Sequence, residues 1–469
     1  MSYNCKVEDS SDINSNNEYR GGSKTRQLIK EFSGYTTLHG FHFLVDSYSV
    51  TRRVVWTCFI VISLGFLLYQ LVNGIKNYND RGIIMSRSVE EPNEVDFPAV
   101  TICNQNIMKK SLIIGTDAQR YLDEMNYIKA DLGLVNSTNE RLDAEDFVRK
   151  YGHTLGEMMY GCEFKDRRCT AQDFIVSTSF MRGLCYTFNS GRDNSSVRRI
   201  ATPGRLESLI LRLNAQPEEY YGAYSYENVG FVLAVHDQAE PPDMELNAYD
   251  IPPGFTTNLR IRRFKGNSLP EPYPTKCGSR NLSLYKRYSR KACIQECYAR
   301  LIITHCGCRL LGMPPMKDVI EAPFCTSKEY LDCKLMMPVL LKPSKCDCPK
   351  RCQHTHYSVQ PSLAYYPSKS VIKELLPSLN MTEVNSTTER INEVNRIIRE
   401  GNAIIRVFYE TLRTEIIKEK PQYTLATLTS DMGGSMGLFL GCSVLTICEF
   451  IDLFIQICLE RRKRNEVIN

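Results

Sequence analysis

The sequence predicts an α+β membrane protein, with two transmembrane helices and a large, disulfide-rich extracellular domain. Three observations predict it. Residues 54–72 and Met432–Leu459 are each apolar enough, and long enough, to cross a bilayer. Fourteen of the nineteen cysteines lie between those stretches. All five N-x-S/T glycosylation sequons, at Asn136, Asn194, Asn281, Asn380 and Asn385, lie there too.

Residues 1–53 are read as a cytosolic N-terminus. The first span, VVWTCFIVISLGFLLYQLV at 54–72, carries no formal charge and starts too late for a signal peptide. Arg52 and Arg53 precede it, and Arg461, Arg462, Lys463 and Arg464 follow the second span. Basic residues mark the cytoplasmic side, so both termini are expected inside. That leaves residues 73–425 outside, residues 426–459 as the second span and residues 460–469 as a cytosolic C-terminus, in a multi-pass plasma-membrane protein.

Between the spans, FPAVTICNQN is apolar and β-rich, and residues 104–185 read as helical and polar, with a small loop between Cys162 and Cys169. GFVLAVHD and TTNLRIRRF read as strands. Residues 277–352 hold ten cysteines, and residues 387–419 read as helical. Cys293 and Cys297 are four apart, about 6 Å on one helical face. Cys346 and Cys348 are two apart, about 6.6 Å on one face of an extended segment. The matched spacings allow a ladder, which is the expected pairing: Cys297–Cys346, Cys293–Cys348, then Cys277–Cys352. A zinc cluster with His305, His354 and His356 is the alternative; an oxidising exterior favours disulfides, and no metal or cofactor is assigned.

From Met432 to Leu459 is 28 residues, about 42 Å if helical, against a core of about 30 Å. Such a helix tilts or breaks, and GGSMGLFLGCS supplies the break through Gly433, Gly434, Gly437 and Gly441. Backbone carbonyls exposed at that depth need protein or a water-filled cavity, and resemble the material of an ion filter. Glu449 and Asp452 share a helical face and are costly in lipid unless they meet water. Asp431 would share that face if the helix were unbroken. The stretch therefore reads as pore lining. The plainer reading ends the span at Cys448 and leaves both acids at the headgroups, but Phe450–Leu459 is still mainly apolar.

These residues also carry a resemblance. MGGSMGLFLGCSVLTICEF resembles the second-span signature of the degenerin/epithelial sodium channel family, including its acid-sensing branch. TTLHGFHF carries that family's His-Gly gating motif at His39 and Gly40, and FPAVTICNQN resembles its motif after the first span. The resemblance runs from about residue 35 to 462. It implies a trimer around a central pore, each subunit with a β-rich palm, a helical finger (about 104–185) and a helical, disulfide-laddered thumb (about 277–352). By family order the other disulfides would be Cys103–Cys185, Cys162–Cys169, Cys306–Cys333 and Cys308–Cys325. The Gly-x-Ser selectivity filter falls on Gly441, Cys442 and Ser443, with cysteine where alanine is commoner. Ser430, beside Asp431, falls where bulky side chains lock such channels open. Amiloride block is implied as well.

The expected function is therefore a ligand-gated cation channel subunit, sodium-selective or non-selective, with sodium and calcium as candidate permeants. Members of the family open to protons, peptides, bile acids or force, or stay open constitutively. Acid-sensing relatives tend to carry a histidine after the first span, and NYNDRGIIMSRS has none. The extracellular segment has 47 Lys+Arg against 42 Asp+Glu. Both features lower the expectation of acid gating; an extracellular neuropeptide is the preferred agonist, by elimination and because the chain resembles the peptide-gated invertebrate members of the family. His153, His236, His305, His354 and His356 read more simply as ordinary surface or core residues. Expected partners are sister subunits in a homo- or heterotrimer and membrane lipid, not nucleic acid. The alternative of another class is a two-anchor receptor or adhesion protein, but simple anchors need neither the glycines nor the intramembrane acids. An enzyme is not expected: G-x-S-x-G, H-E-x-x-H and a phosphate loop are all missing.

Overall fold

The computed structural model describes residues 23–45, 49–125, 144–179, 182–191, 196–221, 228–238, 240–310, 313, 316, 322–326, 328–330, 332–333, 337, 341–342, 345–375 and 387–468. Four sequons, at Asn136, Asn194, Asn380 and Asn385, lie outside them. Asn281 stands exposed on a loop. The chain folds as two compact units, residues 1–83 with 421–469, and residues 84–420.

In the first unit, helix α1 (Ser23–Tyr35) and the short α2 (Phe41–Val45) precede α3 (Val50–Asn79). Helix α3 is long and apolar enough to cross a membrane and leaves most of its apolar side chains exposed. Its 30 residues extend beyond the 19 expected as the first span. At the other end of the sequence, α11 (Leu425–Leu440) and α12 (Val444–Ile468) meet at a bend of 70°. Helix α3 packs along α11, where Ser435 Oγ donates to Gln70 Oε1 at 2.7 Å. A methyl group on Gly74 would stand 3.2 Å from Leu428 Cδ1, so glycine allows that approach.

The second unit is built on two larger sheets and one two-stranded ribbon, the pair of its second and eighth strands. Its strands are β1 (Ile83–Glu90), β2 (Val95–Asp96), β3 (Ala99–Asn104), β4 (Met159–Phe164), β5 (Arg167–Arg168), β6 (Phe174–Ser179), β7 (Gly183–Phe188), β8 (Arg199–Ile200), β9 (Leu209–Asn214), β10 (Phe231–His236), β11 (Ala248–Ile251), β12 (Phe255–Asn267), β13 (Gln353–Tyr365) and β14 (Asn402–Pro421). One sheet runs β13-β12-β14-β9-β4-β5, with β1 also on β14; the other runs β11-β10-β3-β7-β6. β12 and β14 are parallel, and their register shifts between Ile261 and Arg263. Among the described residues the α-helices of this unit are α4 (Lys110–Ile113), α5 (Asp117–Met125), α6 (Ala144–Tyr151), α7 (Leu155–Met158), α8 (Arg290–Cys306), α9 (Lys369–Leu375) and α10 (Thr387–Gly401).

Alternation on β9 shows how the core forms: Leu209, Leu211 and Leu213 are fully buried while Ile210, Arg212 and Asn214 face the other way. They join Phe97, Phe188, Phe231, Ile405 and Tyr409 in one cluster. Tyr409 buries its ring and donates its hydroxyl to Asp96 O at 2.9 Å, so its polar tip is satisfied.

Two expectations are corrected. Residues 104–185 are helical only in part, because β4 to β7 occupy their second half. Residues 387–419 turn from helix to strand at Gly401, and β14 is the longest strand.

Seven disulfides tie this unit. Cys103–Cys185 joins facing residues of β3 and β7, and Cys162–Cys169 closes the β4–β5 hairpin. Along α8 run Cys297–Cys346 and Cys293–Cys348, with Cα separations of 6.0 and 5.8 Å, and Cys277–Cys352 follows. Cys306–Cys333 and Cys308–Cys325 complete the set. His354 and His356 lie on β13, where His356 stacks on Phe264 across the ladder. Among the described residues no His, Cys, Asp and Glu group could hold a metal.

Candidate functional site

The site develops around the break between α11 and α12. Gly441 caps α11 in the left-handed conformation, φ +66°, donating its N–H to Gly437 O at 3.0 Å. Cys442 and Ser443 follow, and Ser443 N donates to Thr446 Oγ1 at 3.0 Å to open α12. The proposed filter residues thus form the non-helical hinge itself. The other glycines behave differently: Gly433, Gly434 and Gly437 are helical, inside α11.

The His-Gly motif meets this hinge. His39 N donates to Leu440 O at 3.0 Å. Its ring lies where a methyl group on Gly441 would have to go, only 2.1 Å from Nδ1. Gly40, at φ +84°, turns the chain beneath Trp56, whose ring would stand 3.1 Å from a methyl group there. Sequence reasoning singled out both motifs but did not bring them together.

Glu449 is held by the same loop. Its Oε2 accepts from Thr36 Oγ1 and from Thr37 N, both at 3.0 Å. The Thr37 hydroxyl meets Thr446 Oγ1 at 2.5 Å. Phe32, fully buried, packs its ring 4.9 Å from that of Phe450. The Glu449 carboxylate therefore organises the segment before α2. Asp452, one turn on, is exposed and accepts from Gln456 Nε2 at 2.8 Å.

Asp431 does not share a face with Glu449, because the 70° bend lies between them. Instead its Oδ2 accepts from the Tyr423 hydroxyl at 2.5 Å. Ser430 and Asp431 line a cavity of about 490 Å³ between α11 and α3, with Gln70, Asn73, Asn77 and Tyr423.

An apolar helix, a second apolar segment broken at a glycine hinge, and a seven-disulfide β domain define the class: a membrane-anchored chain whose bent span is joined to its N-terminal loop. A family model described as Amiloride-sensitive sodium channel matches residues 32–453, and the chain belongs to that family. It is 30% identical over 472 residues to acid-sensing ion channel 2 of Homo sapiens, covering 94% of this chain and 88% of that protein. It is 28% identical over 462 residues to acid-sensing ion channel 1A of Danio rerio, covering 92% and 88%. A cryo-EM structure of a proton-activated chloride channel overlays on 87% of this chain and 96% of that chain, with a TM-score of 0.32 and 6% identity, a likeness too low to argue from. The family makes the chain a subunit of a gated sodium channel of the plasma membrane, a trimer and not an enzyme. That answers the alternative of a non-conducting receptor.

Proposed function

We propose that the subunit forms, with two others, a pore whose selectivity filter is Gly441-Cys442-Ser443, and that an extracellular ligand other than the proton opens it. The observation that carries the gating reading is the pairing of β-domain carboxylates with arginine. Glu410 takes both ends of the Arg262 guanidinium, at 2.6 and 3.0 Å. Glu415 pairs with Arg87, and Glu91 with Arg413. Arg262 holds the Glu410 carboxyl below the usual carboxylate range. A proton sensor needs carboxyls pushed the other way, by burial or by a neighbouring carboxylate. His153, His354 and His356 are all lowered, chiefly by burial, and so resist protonation.

On this reading both termini are cytoplasmic, residues 73–425 face outward, and the agonist is a peptide. Protons are the competing agonist, favoured by relatives named acid-sensing ion channels. Voltage clamp of cells expressing the chain, alone and with sister subunits, decides between them. The expected result is amiloride-blockable current on addition of a peptide and little on stepping from pH 7.4 to pH 5. A large current on acidification, with none from peptides, overturns the reading.

A further inference from the structure

The face of the larger sheet that points away from the core carries more arginine than its acids can match. In register, Asn258 of β12, Arg406 of β14, Ile210 of β9 and Glu163 of β4 form one row. Arg212 of β9 faces Ile404 of β14 in the next. Residues directly opposite share a face, so Arg406 and Arg212 are diagonal neighbours. On the other face of these strands Leu211, Leu259 and Ile405 are fully buried.

Arg212 Nη1 donates to Glu163 Oε1 at 2.8 Å, which engages one oxygen of the carboxylate of that row. Arg406 Nη1 reaches only Asn258 Oδ1, at 3.5 Å, the margin of a hydrogen bond. Its Nε is buried and has no acceptor among the described residues. Gly204 N donates to Tyr409 O at 2.8 Å, which lays the loop before β9 along β14; the next residue on it, exposed Arg205, bears on Arg406 with like charge, as Arg212 does, and Glu163 opposes them. Burial and the two like charges both act against the Arg406 guanidinium. Like-charged neighbours destabilise a sheet, and a buried donor without an acceptor costs its desolvation. Guanidinium forks match the oxygens of a carboxylate or phosphate, which would give Arg406 an acceptor and offset the like charge of all three arginines.

We propose that Arg406, Arg205 and Arg212, with Asn258 beside them, form a binding site for a small oxyanion of the carboxylate or phosphate class. The site lies on the β domain and is independent of the gating reading above. It is tested on the solubilised full-length trimer by thermal unfolding at pH 7.4 and fixed ionic strength, exchanging chloride for inorganic phosphate or for acetate. The expected result is a melting temperature raised by about 2–4 °C by at least one of them, as mass action requires of a ligand bound to the native state. A response to phosphate alone, or to acetate alone, assigns the class. Arg406→Gln is expected to lose the response and to raise the melting temperature in chloride, because the crowding is relieved. Arg205→Gln, on an exposed loop with little folding risk, is expected to lose at least half of it, and Arg87→Gln, paired elsewhere, none. Wild-type protein that responds to neither anion, or an Arg205→Gln variant that responds fully, overturns the proposal.

Discussion

Replacing Gly441 by alanine should disturb the channel through His39, and removing the His39 ring should undo most of the disturbance. Two terms contribute. Gly441 has φ +66°, and alanine held there costs roughly 1–2 kcal/mol. The new methyl group would also stand 2.1, 2.5 and 2.6 Å from His39 Nδ1, Cγ and Cε1. The ring must swing away while its backbone stays tied to Leu440 O at 3.0 Å, and an off-rotamer side chain costs about 0.5–1.5 kcal/mol. Only the second term vanishes in a His39→Ala background. The cycle of Gly441→Ala and His39→Ala should therefore show a coupling of about 1 kcal/mol, roughly a fivefold effect. Sodium-to-potassium permeability ratios from bi-ionic reversal potentials, with surface expression measured alongside, give the readout. If Gly441→Ala shifts the ratio equally with and without His39, the contact does not govern the filter and the reasoning fails.

Glu449→Ala removes the acceptor for Thr36 and Thr37 and should weaken the tether by about 1.5–3 kcal/mol; its effect on permeability should be shared in part by Thr36→Val, which removes the hydroxyl donor, and the double variant should add little to Glu449→Ala. Cys293→Ser and Cys348→Ser should each lower ectodomain stability by about 2–4 kcal/mol, and additive loss in the double variant, read by surface expression and melting, would show that they are not partners. Acid should destabilise the β domain through His153. That residue is buried, with Asn106 Nδ2 at 2.8 Å from Nε2 and Gln216 Oε1 at 2.8 Å from Nδ1. Lys109 adds an unfavourable charge, Glu219 and Glu157 favourable ones. Its folded pKa lies below the ordinary value of about 6.5, so the unfolded state binds more protons. The stability is present above about pH 6.5 and is lost as pH falls below it. The melting temperature should drop on acidification, less so in His153→Gln, and an equal drop in that variant would remove the assignment.

What the sequence disclosed depended on whether a signal was local. The first span, strands β10 and β12, and the thumb pairings on α8 each followed from a spacing along a few residues. Strand β7 escaped because all six residues of GLCYTF are buried, which erases the alternation that marks a half-exposed strand. Strand β14 did carry a signal: Ala403, Ile405 and Val407 are buried between less buried neighbours, just after Gly401 ends a helix. Glu449 was read as pore lining from its helix alone. Its partners Thr36 and Thr37 lie 413 and 412 residues away, and no periodicity reports a contact over that distance.

The glycines before the hinge make a different kind of demand. A methyl group on Gly433 or on Gly434 would meet nothing within 4 Å in this subunit, and both residues are helical. Within one chain, alanine is therefore the better residue at each, by about 0.8–1 kcal/mol of helix propensity. A sequence that keeps glycine there answers to something outside the subunit, which in a trimer means the neighbouring helices or the permeating ions. Gly433→Ala and Gly434→Ala should then fold and reach the surface at least as well as the parent, yet alter current amplitude or selectivity. The comparison needs surface biotinylation and voltage clamp on the same cells. Unchanged currents at unchanged surface density would mean that the open space around these residues stays open in the assembled channel, and that the N-terminal half of α11 does not crowd the trimer axis.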